Sequence, residues 1–239
     1  MARMQNLLRA LKAVPVRDLP WRKTRDPYKI LVSEIMLQQT QVDRVVPFYT
    51  RFVRQFPTPQ KLAKAPLSKV LKAWQGLGYN RRAVYLQRSA KILRSGEING
   101  TPAQSIFATR LPGVGPYTAA AVEAFAHNKP TIFIETNIRT VFIYHFFPTK
   151  KQVSDKELLP LVKQALKKSK IPPREFYARL MDYGTQLKKQ GIKLNAKSKH
   201  YIKQSRFEGS HRQKRAARLR RLLARGTSDR ELERVLNSK

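Results

Sequence analysis

Residues 111–122 read LPGVGPYTAAAV, a glycine-containing turn that runs directly into an alanine-rich helical segment. Its two glycines, Gly113 and Gly115, let the backbone turn tightly and come close to a ligand. A helix that begins near Pro116 or Tyr117 directs unpaired N–H groups and the positive end of its dipole outward. The stretch therefore predicts a phosphate-binding hairpin, with a plain turn between two helices as the alternative.

Helical periodicity dominates the rest of the chain, and alternating strand patterns are missing. The segments between the helices are short and rich in Pro and Gly, as in compact helical packing. The predicted helices are 28–39, 42–56, 67–74, 81–93, 117–125, 137–147, 156–166 and 174–187. The predicted fold class is therefore all-α.

The charge balance points to a polyanionic partner. The 239 residues contain 49 Lys and Arg against 15 Asp and Glu, a formal net charge of +34. This much like charge opposes compaction unless nucleic acid neutralises it. Cysteine is absent, which excludes disulfides, thiolate zinc sites, cysteine nucleophiles and cysteine-bound iron–sulfur clusters.

The location of the protein is predicted from its apolar pattern. No apolar run approaches the roughly 20 residues of a membrane span, so no membrane partner is expected. Residues 1–17 are basic and amphipathic, as in a mitochondrial transit peptide or a first helix. The helix is the favoured interpretation. The protein is expected in the cytoplasm, associated with the nucleoid if the source is prokaryotic.

The C-terminal part of the chain is strongly basic from residue 188 to residue 225. Within it, Ser210 predicts the start of a helix that runs to Arg225 and ends at Gly226. A capping box of Ser228 and Glu231 predicts one more short helix. A charge run of this kind is either a solvated surface or a phosphate contact, and the strong sign bias favours phosphate.

A first candidate catalytic residue is Glu34, which lies in YKILVSEIMLQQT at 28–40. The helix around it is apolar on nearly every side, so the carboxyl is expected to be buried, where its pKa rises. A carboxylic acid that keeps its proton near neutral pH can donate it to a leaving group. The alternative is a structural glutamate paired with an arginine such as Arg22.

A second candidate is Glu135, which TIFIETNIRTVF at 131–142 places at the start of a helix. The helix dipole favours an ionised carboxylate there. Thr136 or Asn137 is the expected cap, which leaves Glu135 facing a cavity. A neutral acid and a charged carboxylate suit glycosidic bond cleavage through an oxocarbenium-like transition state. The alternative is a charge that only stabilises the helix N-terminus.

Three stretches in one order carry a resemblance to a known family: LPWRKTRDPYKILVSEIMLQQTQV (19–42), KAWQGLGY (72–79) and LPGVGPYTAAAV. The chain resembles the helix-hairpin-helix DNA glycosylases of base excision repair over about residues 19–187. It is most similar to the A/G-specific adenine glycosylase branch, MutY. Each stretch alone is unspecific, whereas the combination is highly specific.

The resemblance implies an all-α fold of the HhH-GPD type, with two helical subdomains flanking a DNA-binding cleft. The expected six-helix subdomain spans 23–129, with the helix-hairpin-helix at about 107–125. The second subdomain is expected from 1–22 together with 130–205. Residues 206–239 are expected to form a basic helical extension.

The resemblance also implies site residues. Glu34 matches the general acid that protonates the departing base, Glu135 the group that stabilises the sugar cation, and Asn137 its helper. Tyr117 lines the site where bifunctional relatives have a lysine, which implies base removal without strand cleavage. The base-pocket residues implied are Trp21, Arg22 and Leu37. The DNA-contacting residues implied are Gln38, Gln39, Tyr79, Gly113, Val114, Gly115 and Thr118.

The chain departs from the family pattern at four places. Glu135 replaces an aspartate, which lengthens the side chain by one methylene, about 1.5 Å. The stretch KKQGIKLNAKSKHYIKQS (188–205) replaces the four-cysteine iron–sulfur loop, and Ala178 stands where the branch has Gln or Glu near the adenine edge. The C-terminal domain that reads 8-oxoguanine is expected to be missing. No metal site or cofactor is expected, apart from a monovalent cation that hairpin carbonyls hold in relatives.

The expected function is a monofunctional DNA glycosylase acting as a monomer on duplex DNA with a mispaired or damaged base. Adenine opposite guanine or 8-oxoguanine is the nominal target. The alternatives are a thymine or uracil glycosylase acting on mismatches with guanine, and a non-catalytic duplex-DNA-binding protein with this fold. A general RNA-binding protein is the weakest alternative, because the specific motifs give it no support.

Overall fold

The computed structural model describes residues 2–95 and 111–237. Throughout these ranges the regular structure is helical, apart from one isolated bridge between Val153 and Ser198, and the all-α prediction is confirmed. The α-helices are α1 (Ala2–Ala13), α2 (Pro27–Leu37), α3 (Val42–Gln55), α4 (Pro59–Lys64), α5 (Leu67–Trp74), α6 (Arg81–Ser95), α7 (Pro116–His127), α8 (Thr136–Phe146), α9 (Asp155–Ser169), α10 (Pro173–Lys189), α11 (His211–Arg225) and α12 (Asp229–Asn237). Two 3-10 helices cover Pro20–Arg22 and Asn195–Lys197.

The chain divides into two compact units. Unit 1 comprises Met1–Asp18 and Glu123–Lys203, and unit 2 comprises Leu19–Val122 and Gln204–Lys239. The breaks between the units therefore differ from the predicted breaks at 22/23, 129/130 and 205/206. The first observed break falls before the 3-10 helix, and the second falls within α7. Residues 107–110 of the predicted hairpin lie outside the described residues.

Unit 1 is built around α8, which packs against α1, α9 and α10. The amphipathic N-terminal segment forms α1, as the favoured interpretation predicted, and buries Met4, Leu7 and Leu11. Its core continues on α8 with Val141 and Phe142. In the described residues of both units, no helix is at once long and apolar enough to cross a bilayer.

Unit 2 is built around α6, which packs against α2, α4 and α5. The sequence did not predict α4, because FPTP at 56–59 reads as a connector. In the structure Thr58 caps this short helix through the Lys61 N–H, and Pro59 takes its first position. A proline at that position costs nothing, because the first N–H of a helix has no partner within the helix.

The C-terminal helices, predicted as a basic helical extension, are grouped with unit 2. As predicted, Ser210 caps α11, and Gly226 ends it with a left-handed φ of 75°. Helix α12 packs against α5 and α6 and buries Leu232, Val235 and Leu236. The carboxylate of Asp229 also accepts hydrogen bonds from the first backbone N–H groups of α5, at 2.9 and 3.2 Å. Residues 229–236 therefore complete the core of unit 2.

Candidate active site

Helix α2 carries Glu34 into the core of unit 2. Asp26 caps the helix by accepting hydrogen bonds from the N–H groups of Tyr28 and Lys29. The six residues from 30 to 35 are buried together with Met36, and Glu34 itself is 5% exposed, as predicted. The Tyr117 hydroxyl, in the first turn of α7, donates to Oε2 of Glu34 at 3.1 Å. The structure thus joins two residues that the sequence selected 83 positions apart.

The hairpin turn needs only one of its two glycines for steric reasons. Gly113 has a φ of +75°, and a Cβ there would lie 2.9 Å from the Cβ of Tyr85. A Cβ on Gly115 would meet nothing within 4 Å. The tight turn therefore depends on Gly113, where a side chain would be strained. The open space above Gly115 leaves this part of the backbone accessible to a ligand.

The hairpin turn and the end of α2 are joined by Gln38. Its Nε2 donates to the Gly113 carbonyl at 3.2 Å and to the Thr118 hydroxyl at 3.4 Å. The N–H of Val114 closes the turn by donating to the Leu111 carbonyl at 3.1 Å. Three of the predicted DNA-contacting residues therefore lie in one hydrogen-bonded cluster.

The sequence analysis did not select Arg82, which forms hydrogen bonds with the end of α2 and with Gln38 of the same cluster. Arg82 is 7% exposed, and its guanidinium donates to the carbonyls of Ile35, Met36 and Gln38 at 2.5–2.9 Å. It also donates to the Thr40 hydroxyl and to the Gly78 carbonyl. Burial lowers the pKa of Arg82 to about 10. Arg82 supplies the cap that the carbonyl end of α2 needs.

Two other predicted DNA-contacting residues have left-handed backbone conformations. Gln39 is exposed with a φ of 56°, and Tyr79 is half-buried with a φ of 48°. The guanidinium carbons of Arg82 and Arg212 lie 5.4 and 5.3 Å from the Tyr79 ring centre. Arg212 and Gln204 also donate to the Tyr79 hydroxyl. The C-terminal segment therefore helps to fix Tyr79, a contact that the sequence did not indicate.

The predicted base-pocket residues lie in neighbouring elements of unit 2. Trp21 is buried in the 3-10 helix and packs edge-to-face on Tyr49, with 5.4 Å between ring centres. Arg22 and Leu37 are half-buried. The 3-10 helix packs against α2 and α3, and α2 carries both Leu37 and Glu34.

In unit 1, Glu135 is itself the N-cap of α8. Its Oε1 accepts from the N–H groups of Asn137 and Ile138 at 2.8 and 2.9 Å. The predicted cap at Thr136 or Asn137 is therefore wrong. Burial raises the pKa of Glu135 against the opposing effect of these two hydrogen bonds. The helix N-terminus therefore favours the ionised carboxylate, as predicted, while burial has the larger and opposing effect on its pKa.

Asn137 connects Glu135 to a lysine that the sequence analysis did not select. The Nδ2 of Asn137 donates to Oε2 of Glu135 at 3.1 Å, and its Oδ1 accepts from Nζ of Lys188 at 2.7 Å. Helices α8 and α10 approach closely here because Gly184 has no side chain. A Cβ at Gly184 would lie 2.4 Å from the Asn137 carbonyl oxygen.

The described residues contain no group of three or more His, Asp or Glu side chains placed to hold a metal ion. The monovalent cation at the hairpin backbone stays a prediction.

Comparison with known proteins places the chain in a family. Residues 32–167 match the model of the HhH-GPD superfamily base excision DNA repair proteins. Adenine DNA glycosylase from Buchnera aphidicola is 40% identical over 131 residues, which cover 54% of this chain and 37% of the relative. Adenine DNA glycosylase from Mycobacterium tuberculosis is 44% identical over 126 residues, which cover 52% of this chain and 41% of the relative.

A solved structure of a thermostable thymine-DNA glycosylase is 28% identical, with a TM-score of 0.61, and the match covers 76% of this chain and 83% of that one. The chain spans about two fifths of the length of the two curated relatives. The family model, in contrast, matches more than half of this chain. The protein belongs to the HhH-GPD superfamily of base excision DNA repair proteins.

Proposed function

We propose that the protein is a monofunctional DNA glycosylase that removes adenine mispaired with guanine or 8-oxoguanine in duplex DNA. It would act as a monomer in the cytoplasm. The observation that carries the proposal is the buried carboxyl of Glu34, hydrogen-bonded to the Tyr117 hydroxyl at the start of the hairpin helix. Identities of 40–44% to adenine DNA glycosylases support adenine as the target.

In the proposed reaction, Glu34 is the proton donor. The residue is 5% exposed. Protonation of the adenine ring lets the C1′–N9 bond break, and the bonding electrons leave with the base. The target nucleotide must first be flipped out of the duplex, since the bond is inaccessible in the stack.

The sugar cation that remains is stabilised by Glu135 in its ionised form. Asn137 orients this carboxylate through the 3.1 Å hydrogen bond to Oε2. Water then adds to C1′ and loses a proton, which leaves an abasic site on an intact strand. Tyr117 has no amine with which to form a Schiff base, which supports hydrolysis without strand cleavage.

Duplex binding is assigned to the hairpin and to α11. The accessible backbone at Gly115 and the N-terminus of α7 suit one phosphate group. Helix α11 presents exposed basic side chains at helical spacing, namely Lys214, Arg218, Arg221 and Arg225. A basic stripe of this kind binds the DNA backbone without reading its sequence. Through Arg212, the same helix also holds Tyr79, a predicted duplex-contacting residue.

Product analysis on a panel of duplexes tests the proposal. The panel contains A:8-oxoG, A:G, T:G, U:G and hypoxanthine-containing duplexes, with the released base identified by chromatography. We expect free adenine from the first two duplexes and strand breaks only after alkali. Release of thymine or uracil alone would favour the mismatch activity that the thymine-DNA glycosylase structure represents. Binding without release of any base would favour the non-catalytic alternative.

A further inference from the structure

Lys188 lies near the end of α10 and reaches the N-terminus of α8. It follows Gly184 by four residues, so both lie on the same face of the helix. The absence of a side chain at Gly184 brings the two helices together, and the half-buried lysine then donates to Oδ1 of Asn137 at 2.7 Å.

The lysine determines how the Asn137 amide is oriented. An ammonium group can only donate hydrogen bonds, so the amide atom that faces it must be the oxygen. The amide nitrogen is then directed to Glu135, where it donates to Oε2 at 3.1 Å. A reversed amide would place an oxygen against the carboxylate and N–H groups against the ammonium, so both neighbours favour the same orientation. The hydrogen bonds therefore run in one direction, from Lys188 through Asn137 to Glu135.

The charges around Glu135 come from two helices. Lys188 on α10 and Arg139 on α8 are the cations that act on it, and both oppose the effect of burial on its pKa. Arg139 makes two hydrogen bonds to Asp155 on α9, at 2.8 and 2.7 Å, and His200 lies 3.9 Å from that aspartate. The charge of Arg139 is thus balanced by a second carboxylate.

We propose that Lys188 is a positioning residue, which holds the Asn137 amide in one orientation and thereby favours the ionised Glu135 carboxylate. Its catalytic consequence rests on the proposed glycosylase function. Removing the ammonium charge removes an effect that lowers the pKa of Glu135. The carboxylate is then protonated over a wider pH range, and the acidic limb of the rate profile moves to higher pH.

Single-turnover base release, measured from weakly acidic to weakly alkaline pH on the duplex that the wild type processes best, tests this role. Lys188→Met is expected to be about tenfold slower at neutral pH, with much of the loss recovered at alkaline pH. Its duplex Kd should stay within a few-fold of the wild type. Lys188→Arg keeps the charge and should restore the wild-type acidic limb. Lys189→Met, at the exposed neighbouring position, is the matched control and should leave the position of the acidic limb unchanged.

The interaction with Glu135 is tested in a double variant. In a Glu135→Gln background, Lys188→Met should cause no further loss, because the group it acts on no longer ionises. A wild-type profile for Lys188→Met, or an equal loss at every pH, would overturn the proposal. Borohydride trapping on an abasic duplex supplies a further check. A covalent complex that depends on Lys188 would identify a nucleophile and contradict a positioning role.

A measurement without substrate separates this proposal from the proposed function. Carbon-detected NMR of glutamate-labelled protein, with the Glu135 signal assigned from Glu135→Gln, follows the titration of the carboxyl directly. Lys188→Met should move its midpoint to higher pH, and Lys189→Met should not. An unmoved midpoint overturns the role of Lys188 even in an active enzyme. A shifted midpoint in a chain that releases no base supports the link and refutes the proposed function alone.

Discussion

Each unit places a basic side chain beside the helix end that carries its candidate carboxyl, but the two side chains do different work. In unit 2, Arg82 donates to carbonyl and hydroxyl oxygens, which are uncharged, at the end of α2. In unit 1, Lys188 donates to one amide, which in turn donates to the ionisable Glu135. Arg82 therefore stabilises the fold around Glu34, whereas Lys188 acts on the ionisation of Glu135. The burial of a basic side chain does not by itself tell which of these two roles it has. The group that accepts its hydrogen bonds does.

The largest effect on the free energy of unfolding should come from replacing Arg82, the cation with the structural role. Arg82→Met leaves several carbonyl oxygens at the end of α2 without a donor, so we expect a loss of about 3 kcal/mol in the free energy of unfolding. Lys188→Met should cost about 1 kcal/mol or less, because one half-buried hydrogen bond is lost. Urea denaturation of both variants measures the difference. Equal losses would remove the distinction between the two cations.

Neutralising the basic stripe of α11 should weaken duplex binding. Changing Lys214, Arg218, Arg221 and Arg225 to Gln removes phosphate contacts, and the slope of log K against log salt should fall by about three to four. Deleting residues 207–239 is a poorer test, because it would also remove the buried side chains of α12. The matched control changes four exposed lysines of unit 1 to Gln, namely Lys156, Lys163, Lys167 and Lys170. An equal slope change in both variants would show a general charge effect.

Substitutions at the two hairpin glycines should likewise separate an effect on stability from an effect on duplex binding within one turn. Gly113→Ala should lower the free energy of unfolding by about 2 kcal/mol, because of its positive φ and the approach of Tyr85. Gly115→Ala should leave stability unchanged, since its Cβ meets open space, but should weaken duplex binding. Thermal unfolding and fluorescence anisotropy measure the two effects. Unchanged binding by Gly115→Ala would mean that no phosphate approaches there.

The smallest predicted effect concerns the stability of unit 1. Because the pKa of Glu135 is raised by folding, its ionisation costs stability as pH rises above the usual carboxyl range. Glu135→Gln should therefore have a slightly higher Tm than the wild type at neutral pH. The difference should shrink in acid, where the wild-type carboxyl is protonated in both states. A lower Tm for the variant at neutral pH would show that the carboxylate stabilises the helix.

The sequence predicted the features that depend on neighbouring residues. The apolar surroundings of Glu34, the Ser210 cap and the Gly226 stop are all local patterns, and the structure contains each of them. The cap of α8 was predicted wrongly because Ser, Thr, Asp and Asn are the usual capping residues, and Glu135 was passed over. Here the tertiary environment, and not residue preference, selects the cap.

The cations were missed for a different reason. Arg82 bonds to Ile35 across 47 positions, and Lys188 bonds to Asn137 across 51. Among 49 basic residues, no local signal distinguishes these two from those exposed to solvent. Gly184 offered the best indirect hint, since a glycine inside a helical pattern often marks a close backbone approach.

The most direct test of the account is the single-turnover release of adenine from an A:8-oxoG duplex by the wild type, Glu34→Gln and Glu135→Asp. Thermal unfolding and duplex Kd serve as controls for folding and binding. The account predicts release by the wild type, about a thousandfold loss for Glu34→Gln with retained duplex affinity, and an equal or higher rate for Glu135→Asp. Adenine release by Glu34→Gln at the wild-type rate would contradict it.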